Sequence, residues 1–588
     1  MEMESVLKSD IAHVLNTLYG HTLSLESIKL EQTNADFKGD YTLVTFPFVR
    51  LSKQSPEQTA NAIGEALMEQ STMLNSFNVV KGFLNLELKQ AVWIESILNH
   101  QAIPEFPKNE KVMVEYSSPN TNKPLHLGHI RNNLLGSSLA KILKANAYEV
   151  IQANLINDRG IHICKSMLAW QKFGQNETPE SSGLKGDHLV GKYYVEFDKH
   201  YKQEIKALVE HGLSEEAAAK QSPLLIEAQD MLRKWEAGDQ ATMDLWRTMN
   251  QWVYDGFAST YKQLGVEFDQ YYYESNTYLL GKDLIELGLS KEVFYKKADG
   301  SVWIDLSAEG LDEKLVLRAD GTSVYITQDI GTAKLKFEQY ACSKSIYVVG
   351  NEQDYHFKVL FLMLKKLGFE WADGLYHLSY GMVDLPSGKM KSREGTVVDA
   401  DDLMSEMIQT AKEKTEELGK TTGMSESEKA ELYATLGLGA LKFFMLKVDP
   451  QKRMLFNPAE SIDFQGDTGP FVQYTFARIN SIMRSAQAED KLLTNPPTEI
   501  KSSEVQLIQC LLAYKNELQK AAQLYSPSII AHYLLQVAKA FNRLYNDVSI
   551  LKAVDANERA FRLHLSALTA ETIQHGLGLL GVNSPARM

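Results

Sequence analysis

The sequence is poor in the features that mark secreted, membrane-bound and zinc-stapled proteins. Its 588 residues include three cysteines, Cys164, Cys342 and Cys510, which are too widely spaced for a disulfide framework or a zinc motif. No stretch is long and apolar enough to cross a membrane. The opening segment MEMESVLKSDIAHVL lacks the basic start and apolar centre of a signal peptide. We therefore expect a cytoplasmic protein with no structural zinc and no membrane contact.

An excess of positive charge is also missing, since the formal net charge is −14. General nucleic-acid binders are usually basic, because neutralising phosphates drives their affinity. A nucleic-acid partner would therefore have to be held by local basic patches. The hydrophobic content of 44% and charged content of 23% are ordinary for a soluble globular protein. The length corresponds to about three or four domains of roughly 150 residues each.

The most informative stretch runs from Val112 to Ala145. Its first residues form a short apolar run that predicts a buried strand. Residues 117–124, rich in Ser, Pro and Asn, predict a loop. Apolar residues at helical spacing then predict a helix that begins near Leu125. The order strand, loop, helix is that of the opening unit of a nucleotide-binding parallel sheet.

Candidate phosphate-binding residues lie where this helix begins. His126 and His129 are three residues apart and so share a face of the first turn, beside amides at the positive end of the helix dipole. Gly128 has no Cβ, so a flat base could lie against its backbone. Alone, a His-x-Gly-His pattern is more often chance than a phosphate site. The strand before it, the helix after it and Lys123 favour a triphosphate site.

Residues 119–129, PNTNKPLHLGH, resemble the HIGH signature of class I aminoacyl-tRNA synthetases. The flanking segments VEYSSPN (114–120) and IRNN (130–133) resemble arginyl-tRNA synthetases in particular, and the similarity extends over essentially the whole chain. The resemblance implies a multidomain α/β protein. It would have a Rossmann-type parallel-sheet catalytic domain with a helical insertion, a small N-terminal α+β domain and a C-terminal all-α helical bundle.

We expect three domains. Residues 1–108 would form the N-terminal domain, which the resemblance implies touches the tRNA elbow, although a packing module is the first interpretation from residues alone. Residues 109–410 would form the catalytic domain, with a helical insertion over about 170–300 and no editing site, and residues 411–588 the helical anticodon-binding domain. After the insertion, the sheet is expected to resume with strands at 301–306, 315–317, 345–349 and 377–383.

Acidic residues near strand-to-helix corners suggest a guanidinium substrate, which needs carboxylates placed for forked hydrogen bonds. Arginyl-tRNA synthetases use a Glu five residues before an Asn, a Tyr four before an Asp, and a later Gln. This sequence has that spacing in Glu115 and Asn120, in Tyr325 and Asp329, and then in Gln353. The resemblance implies that Glu115 and Asp329 hold the arginine side chain beside Tyr325, while Asn120 and Gln353 bind its backbone end. Singly, Asp329 would be a helix cap and Glu115 an edge-strand surface charge.

A basic loop at residues 386–395, PSGKMKSREG, could close on a triphosphate and stabilise its developing charge; a solvated surface loop is the alternative. It resembles the KMSKS signature, but Ser392 stands where the second lysine would be. In arginyl-tRNA synthetases a lysine just before HIGH is thought to substitute. The resemblance therefore implies Lys123 as the main catalytic cation, with Lys389 and Lys391 in support and Lys389 also binding ATP.

The resemblance implies a ligase that joins arginine to its cognate tRNA in two steps. Arginine and ATP would give arginyl-adenylate and pyrophosphate, and a terminal ribose hydroxyl of tRNA would then take the arginine and release AMP. Lys123, His126 and His129, with Mg²⁺ accompanying ATP, would stabilise the phosphate charge, and no residue is expected to be a dedicated metal ligand. The family is also implied to need bound tRNA for adenylation and to act as a monomer.

Two alternatives remain open. One is a different class I ligase, such as a glutamyl or cysteinyl enzyme; the paired carboxylates Glu115 and Asp329 argue against an acidic substrate. The other is a synthetase-like RNA-binding protein without catalysis. Intact His126, Gly128 and His129 argue against that loss.

Overall fold

The computed structural model describes residues 3–34, 36–384, 398–419, 421 and 423–588. Two compact units make up the chain. The first comprises Met1–Pro104, Arg478–Lys515 and Gln536–Thr572, and the second Glu105–Ala477, Asn516–Leu535 and Ile573–Met588. Within the described chain, no helix combines the length and apolar character that a membrane span requires.

The N-terminal segment is a four-stranded antiparallel sheet of order β1-β2-β4-β3 with helices packed on it. The helix Pro56–Gln70 packs on this sheet. It begins with a capping box between Ser55 and Gln58 and has a proline at its first position. The last two strands of the segment form an antiparallel hairpin. Its elements are α1 (Met3–Tyr19), β1 (Leu30–Gln32), β2 (Tyr41–Val44), α2 (Val49–Ser52), α3 (Pro56–Gln70), β3 (Leu74–Val80), β4 (Phe83–Leu88) and α4 (Gln90–Leu98).

The second compact unit opens with the predicted order of strand, loop and helix. A second strand and a second helix come next. The first of these helices buries residues almost all round, which suits a helix enclosed on several sides rather than one on a surface. The elements are β5 (Lys111–Glu115), α5 (Leu127–Ala145), β6 (Glu149–Ile156) and α6 (Ile161–Phe173).

The insertion is helical, as expected, but it ends earlier than about residue 300. A short strand rich in tyrosine, missed by the sequence analysis, returns the chain to the parallel sheet at residue 270. Its four residues are too few to show a clear periodicity. The elements are α7 (Pro179–Ser182), α8 (Gly186–Glu210), α9 (Glu215–Gln221), α10 (Pro223–Glu236), α11 (Gln240–Leu264), β7 (Gln270–Tyr273), α12 (Glu274–Thr277) and α13 (Lys282–Ser290).

The strands near residues 301–306 and 315–317 were wrongly expected to continue the parallel sheet. They form a separate three-stranded antiparallel sheet, because the short links between them leave no room for the crossover that parallel strands need. The strands expected at 345–349 and 377–383 do join the parallel sheet. The elements are β8 (Tyr295–Lys296), β9 (Val302–Ile304), β10 (Lys314–Leu317), α14 (Tyr325–Tyr340), β11 (Lys344–Gly350), α15 (Asp354–Lys366), β12 (Leu375–Tyr380) and β13 (Val383–Asp384).

The completed parallel sheet has five strands in the order β12-β11-β5-β6-β7. The strand order therefore places β5 at the centre, and ligands of such sheets bind at the carboxyl ends of central strands. The described residues that follow β13 are mostly helical. Its elements are α16 (Ala400–Glu417), α17 (Glu426–Lys447), β14 (Met454–Leu455), α18 (Pro458–Ser461), α19 (Gly469–Ser485), α20 (Ser502–Leu512), α21 (Tyr514–Gln523), α22 (Pro527–Asp547) and α23 (Ala556–Leu579).

Candidate active site

The corner between β5 and α5 holds two imidazoles in one fixed arrangement. His126 is the N-cap of α5, and the backbone N–H of Gly128 donates to its Nδ1 at 3.1 Å. The backbone N–H of His126 in turn donates to Nδ1 of His129 at 3.2 Å. Because each Nδ1 accepts a hydrogen bond, the proton of each neutral ring lies on Nε2. Each imidazole therefore offers an N–H donor from its other edge.

Both imidazoles are held neutral at physiological pH. Burial, with a smaller contribution from the charge of Lys123, lowers the pKa of His126 to about 4. Burial also lowers the pKa of His129 well below its usual value, and His126 and Lys123 add to the effect. Burial lowers the pKa of Lys123 as well. The corner thus presents one ammonium beside two neutral donors.

Two asparagine side chains hold the loop before the helix by hydrogen bonds to its backbone. Ser117 and Ser118 adopt left-handed φ angles of 77° and 47°, a strained conformation that surrounding contacts must maintain. The backbone N–H of Ser117 donates to Asn132 Oδ1 at 2.5 Å, and that of Ser118 donates to Asn154 Oδ1 at 3.1 Å. Asn132 Nδ2 donates to the backbone of Val348 at 2.7 Å. Asn132, from the IRNN segment, therefore joins the loop to α5 and β11.

The segment just after residue 397 is also joined to the start of α5. The backbone N–H of Leu127 donates to Val398 O at 2.9 Å, and that of Ala400 donates to Leu125 O at 3.0 Å. The chain that leaves the lysine-rich loop is therefore anchored beside the two histidines. Lys389 and Lys391 themselves lie outside the described residues.

A cavity of about 710 Å³ lies beside this corner, a size within the range of small-molecule sites. Three of the predicted site residues line it: Asn120, Lys123 and Tyr325, the last with 74% of its surface exposed. Glu115, Asp329, Gln353, His126, Gly128 and His129 are not among the lining residues. The remaining charged side chains of the lining are Arg159, Glu236, Glu274, Lys282 and Arg318, together with His162.

Glu115 lies at the end of the central strand, so the alternative of an edge-strand surface charge is wrong. Its carboxylate is 6% exposed and is ion-paired with Lys336 from α14, itself 3% exposed. The Lys336 ammonium also lies 5.2 Å and 5.4 Å from the ring centres of Tyr347 and Tyr272. Glu115 is therefore a buried carboxylate whose charge is already balanced inside the protein.

Asp329 lies within the first two turns of α14, four residues after Tyr325, as the spacing predicted. Its Oδ2 accepts a hydrogen bond from His356 Nε2 at 2.7 Å. Gln353 lies in the turn just before α15 and is exposed. The helix-cap alternative for Asp329 does not apply, because Val324 is the N-cap of α14 and Asp329 lies further along.

None of the five charged lining residues other than Lys123 was predicted as a site residue, and two of them, Glu274 and Arg159, have notable electrostatic surroundings. Burial raises the pKa of Glu274 to about 7; Arg159 opposes the shift, and Asp158 and Asp329 add to it. Arg159 donates to Glu236 Oε1 at 3.0 Å and lies 4.0 Å from the ring centre of Tyr278. Glu274 directly follows β7, and recognition of that strand would have identified it, since active-site residues lie at carboxyl ends of parallel strands.

The central parallel sheet, the histidine pair at the start of α5 and the helical insertion are features of a class I aminoacyl-tRNA synthetase. The family model described as "tRNA synthetases class I (R), catalytic domain" matches residues 93–457. Models for the DALR anticodon binding domain and the arginyl tRNA synthetase N terminal domain match residues 472–588 and 5–88. The chain belongs to the arginine–tRNA ligase family.

Relatives and solved structures agree with this assignment. Arginine–tRNA ligases of Bacteroides thetaiotaomicron and Porphyromonas gingivalis are 54% and 55% identical to this chain, each over 597 aligned residues that cover 100% of both chains. The solved arginyl-tRNA synthetase of Thermus thermophilus superimposes with a TM-score of 0.81 at 25% identity, covering 100% of both chains.

Proposed function

We propose that this chain ligates arginine to its cognate tRNA in two steps. The arginine carboxylate attacks the α-phosphorus of ATP, which gives arginyl-adenylate and releases pyrophosphate. A terminal ribose hydroxyl of the tRNA then attacks the adenylate and releases AMP. The observation that carries the proposal is the fixed pair of neutral imidazoles beside Lys123 at the start of α5, in a chain of this family.

The first step needs stabilisation of charge on the phosphates rather than a nucleophilic side chain. The Nε2–H groups of His126 and His129 and the ammonium of Lys123 are proposed to bind the phosphates as negative charge develops. Gly128 leaves the backbone open to the nucleotide, and a Cβ there would lie 3.1 Å from Cε1 of His126. Lys389 and Lys391 are proposed to assist, with Lys389 also contacting ATP.

We propose that Mg²⁺ enters with ATP and is held mainly by its phosphates, where it would neutralise charge. Among the described residues, Asp187, His188 and Asp401 are grouped closely enough to hold a metal ion. The ammonium of Lys185 already bridges Asp187 and Asp401 there. A protein cation therefore already bridges the two carboxylates of that cluster.

We propose that arginine is recognised by Glu115, Asp329 and Tyr325 around its side chain, and by Asn120 and Gln353 at its backbone end. A guanidinium offers five donors in a plane, so it can share a carboxylate with another cation. In this site Lys336 already holds Glu115, and an incoming guanidinium would have to share that carboxylate with it. A bound lysine would leave acceptors unpaired, which costs orders of magnitude in rate.

On the same family basis, we propose that residues 1–108 contact the tRNA elbow, that residues 109–410 carry catalysis and that residues 411–588 bind the anticodon. We also propose a cytoplasmic monomer with no structural zinc, whose adenylation step requires bound tRNA.

The test is arginine-dependent exchange of pyrophosphate into ATP, measured with and without cognate tRNA. Exchange in the presence of tRNA supports the ligase, and its disappearance without tRNA supports the proposed gating. Citrulline, which has the shape of arginine but no positive charge, is the matched control and should support no exchange. Failure of arginine to support exchange by folded protein in either condition would overturn the proposal.

A further inference from the structure

A second cavity in the larger unit lies away from the residues considered so far. It has a volume of about 370 Å³ and is lined by Lys141, Lys262 and Lys442, with Glu431 as its one carboxylate among the described lining residues. It forms where the C-terminal half of α5, the end of α11, α17 and the residues around the end of α23 come together. Lys262 and Glu431 are exposed at its edge.

Lys442 is the most deeply placed of these lysines. It is 6% exposed, and its Nζ donates to Gly581 O at 2.8 Å. No carboxylate of the described residues lies within the 4.0 Å that defines an ion pair around it. Buried lysines are normally paired, as Lys336 is with Glu115. An ammonium has three donors, so Lys442 keeps donors for another acceptor.

The charge of the cavity is also left uncompensated around Lys442. Burial lowers its pKa to about 8, and repulsion by the charge of Lys141 adds to the shift. Burial lowers the pKa of Lys141 too, although the charge of Glu267 opposes that shift. Burial destabilises both ammonium groups, and Lys141 adds to the effect on Lys442, so both would gain from an anion placed near them.

Both ammonium groups lie near glycines, and the lack of a side chain at these positions leaves space for a ligand. A Cβ on Gly581 would lie 3.3 Å from Nζ of Lys141, and a Cβ on Gly265 would lie 3.6 Å from Nζ of Lys442. Both glycines adopt positive φ, 67° and 65°, just after helix ends. Two glycines thus keep side chains away from the ammoniums.

A simpler explanation is that these lysines only complement the negative ends of α11 and α23. The hydrogen bond from Lys442 to Gly581 fits that explanation. It accounts for one donor of one lysine, and it leaves unexplained why three lysines line one cavity that has room for a ligand.

We propose that this lysine pocket binds a phosphate-bearing anion. The anion is either a free phosphate or pyrophosphate, or a phosphodiester of bound RNA. The pocket is separate from the proposed ATP site, because fifteen residues of α5 between His126 and Lys141 span about 22 Å at 1.5 Å per residue.

The first arm of the test titrates inorganic phosphate and pyrophosphate by calorimetry, with a non-hydrolysable arginyl-adenylate analogue in the proposed active site and with His129→Ala to weaken binding at the position that pyrophosphate leaves there. Saturable binding by the natural chain, weakened at least tenfold in Lys442→Met and in Lys141→Gln, supports a small-anion site. Lys206→Met is the matched control, since Lys206 is an exposed lysine on α8 and should leave binding unchanged.

The second arm measures how tRNA affinity depends on salt concentration. If the anion is a phosphodiester, Lys442→Met should reduce the magnitude of the slope of log K against log salt by about one, while free phosphate binds too weakly to detect. If Lys442→Met does not fold, Lys141→Gln and Lys262→Gln at more exposed positions carry the same test. Unchanged phosphate binding and an unchanged salt slope in folded variants would overturn the proposal.

Discussion

The two ends of α5 supply positive potential in different ways. At the N-terminal end, His126 and His129 are neutral donors, and the helix dipole adds positive potential. Of the lysines predicted to bind phosphate, Lys123 is the one that lies among the described residues. At the C-terminal half, where the helix dipole favours cations, Lys141 lies near Lys442 of α17, and neither has an ion-pair partner among the described residues. A helix start can thus attract phosphate with few charges, whereas the other end needs ammonium groups.

The largest effect is expected from removing donors at the N-terminal end. His129→Ala and Lys123→Ala should each reduce tRNA-dependent pyrophosphate exchange by about 10²–10³-fold, because a preorganised donor to developing charge is worth that much. The free energy of unfolding should change by less than about 1 kcal/mol, the scale of one ordinary hydrogen bond. Lys206→Met, at an exposed position on α8, is the control and should retain the natural rate. Near-normal exchange in both variants would refute the roles proposed for this end.

A smaller effect, on the free energy of unfolding, is expected between the two ends. There a buried arginine joins α5 by hydrogen bonds to a neighbouring segment. Arg131 is fully buried, and its Nη2 donates to the carbonyls of Asp449, Pro450 and Lys452 at 3.3, 3.1 and 2.9 Å. Arg131→Met should lower the free energy of unfolding by about 2–3 kcal/mol, because it leaves carbonyls without a charged donor. Urea denaturation measures the change. Lys144→Met, on the exposed face of α5, is the control, and an equal shift in both variants would contradict the assignment.

The contrast also shows which parts of the site a sequence can predict. The corner at His126 was predictable because strand, loop and helix are adjacent in sequence and each has its own periodicity. The partner of Glu115 was not, since Lys336 lies 221 residues away and nothing in either local pattern specifies that pairing. The same reason explains the missed strand β7, whose place in the sheet depends on its pairing with β6.

The N-terminal domain, expected either to pack or to touch tRNA, has polar residues with a clear structural role. In the N-terminal sheet, Asp40 accepts from the backbone of Leu88 at 2.7 Å, and Asn85 accepts from Thr42 at 2.7 Å and donates to Asn78 at 2.9 Å. These contacts support the packing interpretation of that segment, and its contact with tRNA stays a prediction. The roles of Glu115, Asp329 and Gln353 in arginine binding also stay predictions.

A pH series separates the two ends further. The pKa of His126 in the folded chain is about 4, against 6.5 for an ordinary histidine, so the unfolded chain binds more protons between these values. Stability therefore rises with pH across that window and is lost as pH falls. For Lys442 the depressed pKa of about 8 places the corresponding rise between pH 8 and 10.5. Urea unfolding across pH should show that His126→Asn reduces the pH dependence of the free energy of unfolding only between pH 4 and 6.5. Lys442→Met should reduce it only between pH 8 and 10.5.

The smallest effect on stability is expected from neutralising one lysine of the pocket. Lys141→Gln removes a partly exposed charge that repels Lys442, so the free energy of unfolding should change by less than about 1 kcal/mol. The same substitution should raise the pKa of Lys442, because one cause of its depression is gone. Amine labelling followed across pH by mass spectrometry measures that pKa, with Lys206→Met as the control. An unchanged pKa of Lys442 would mean that the two ammoniums do not share one electrostatic environment, and the pocket would then be two separate lysines at helix ends.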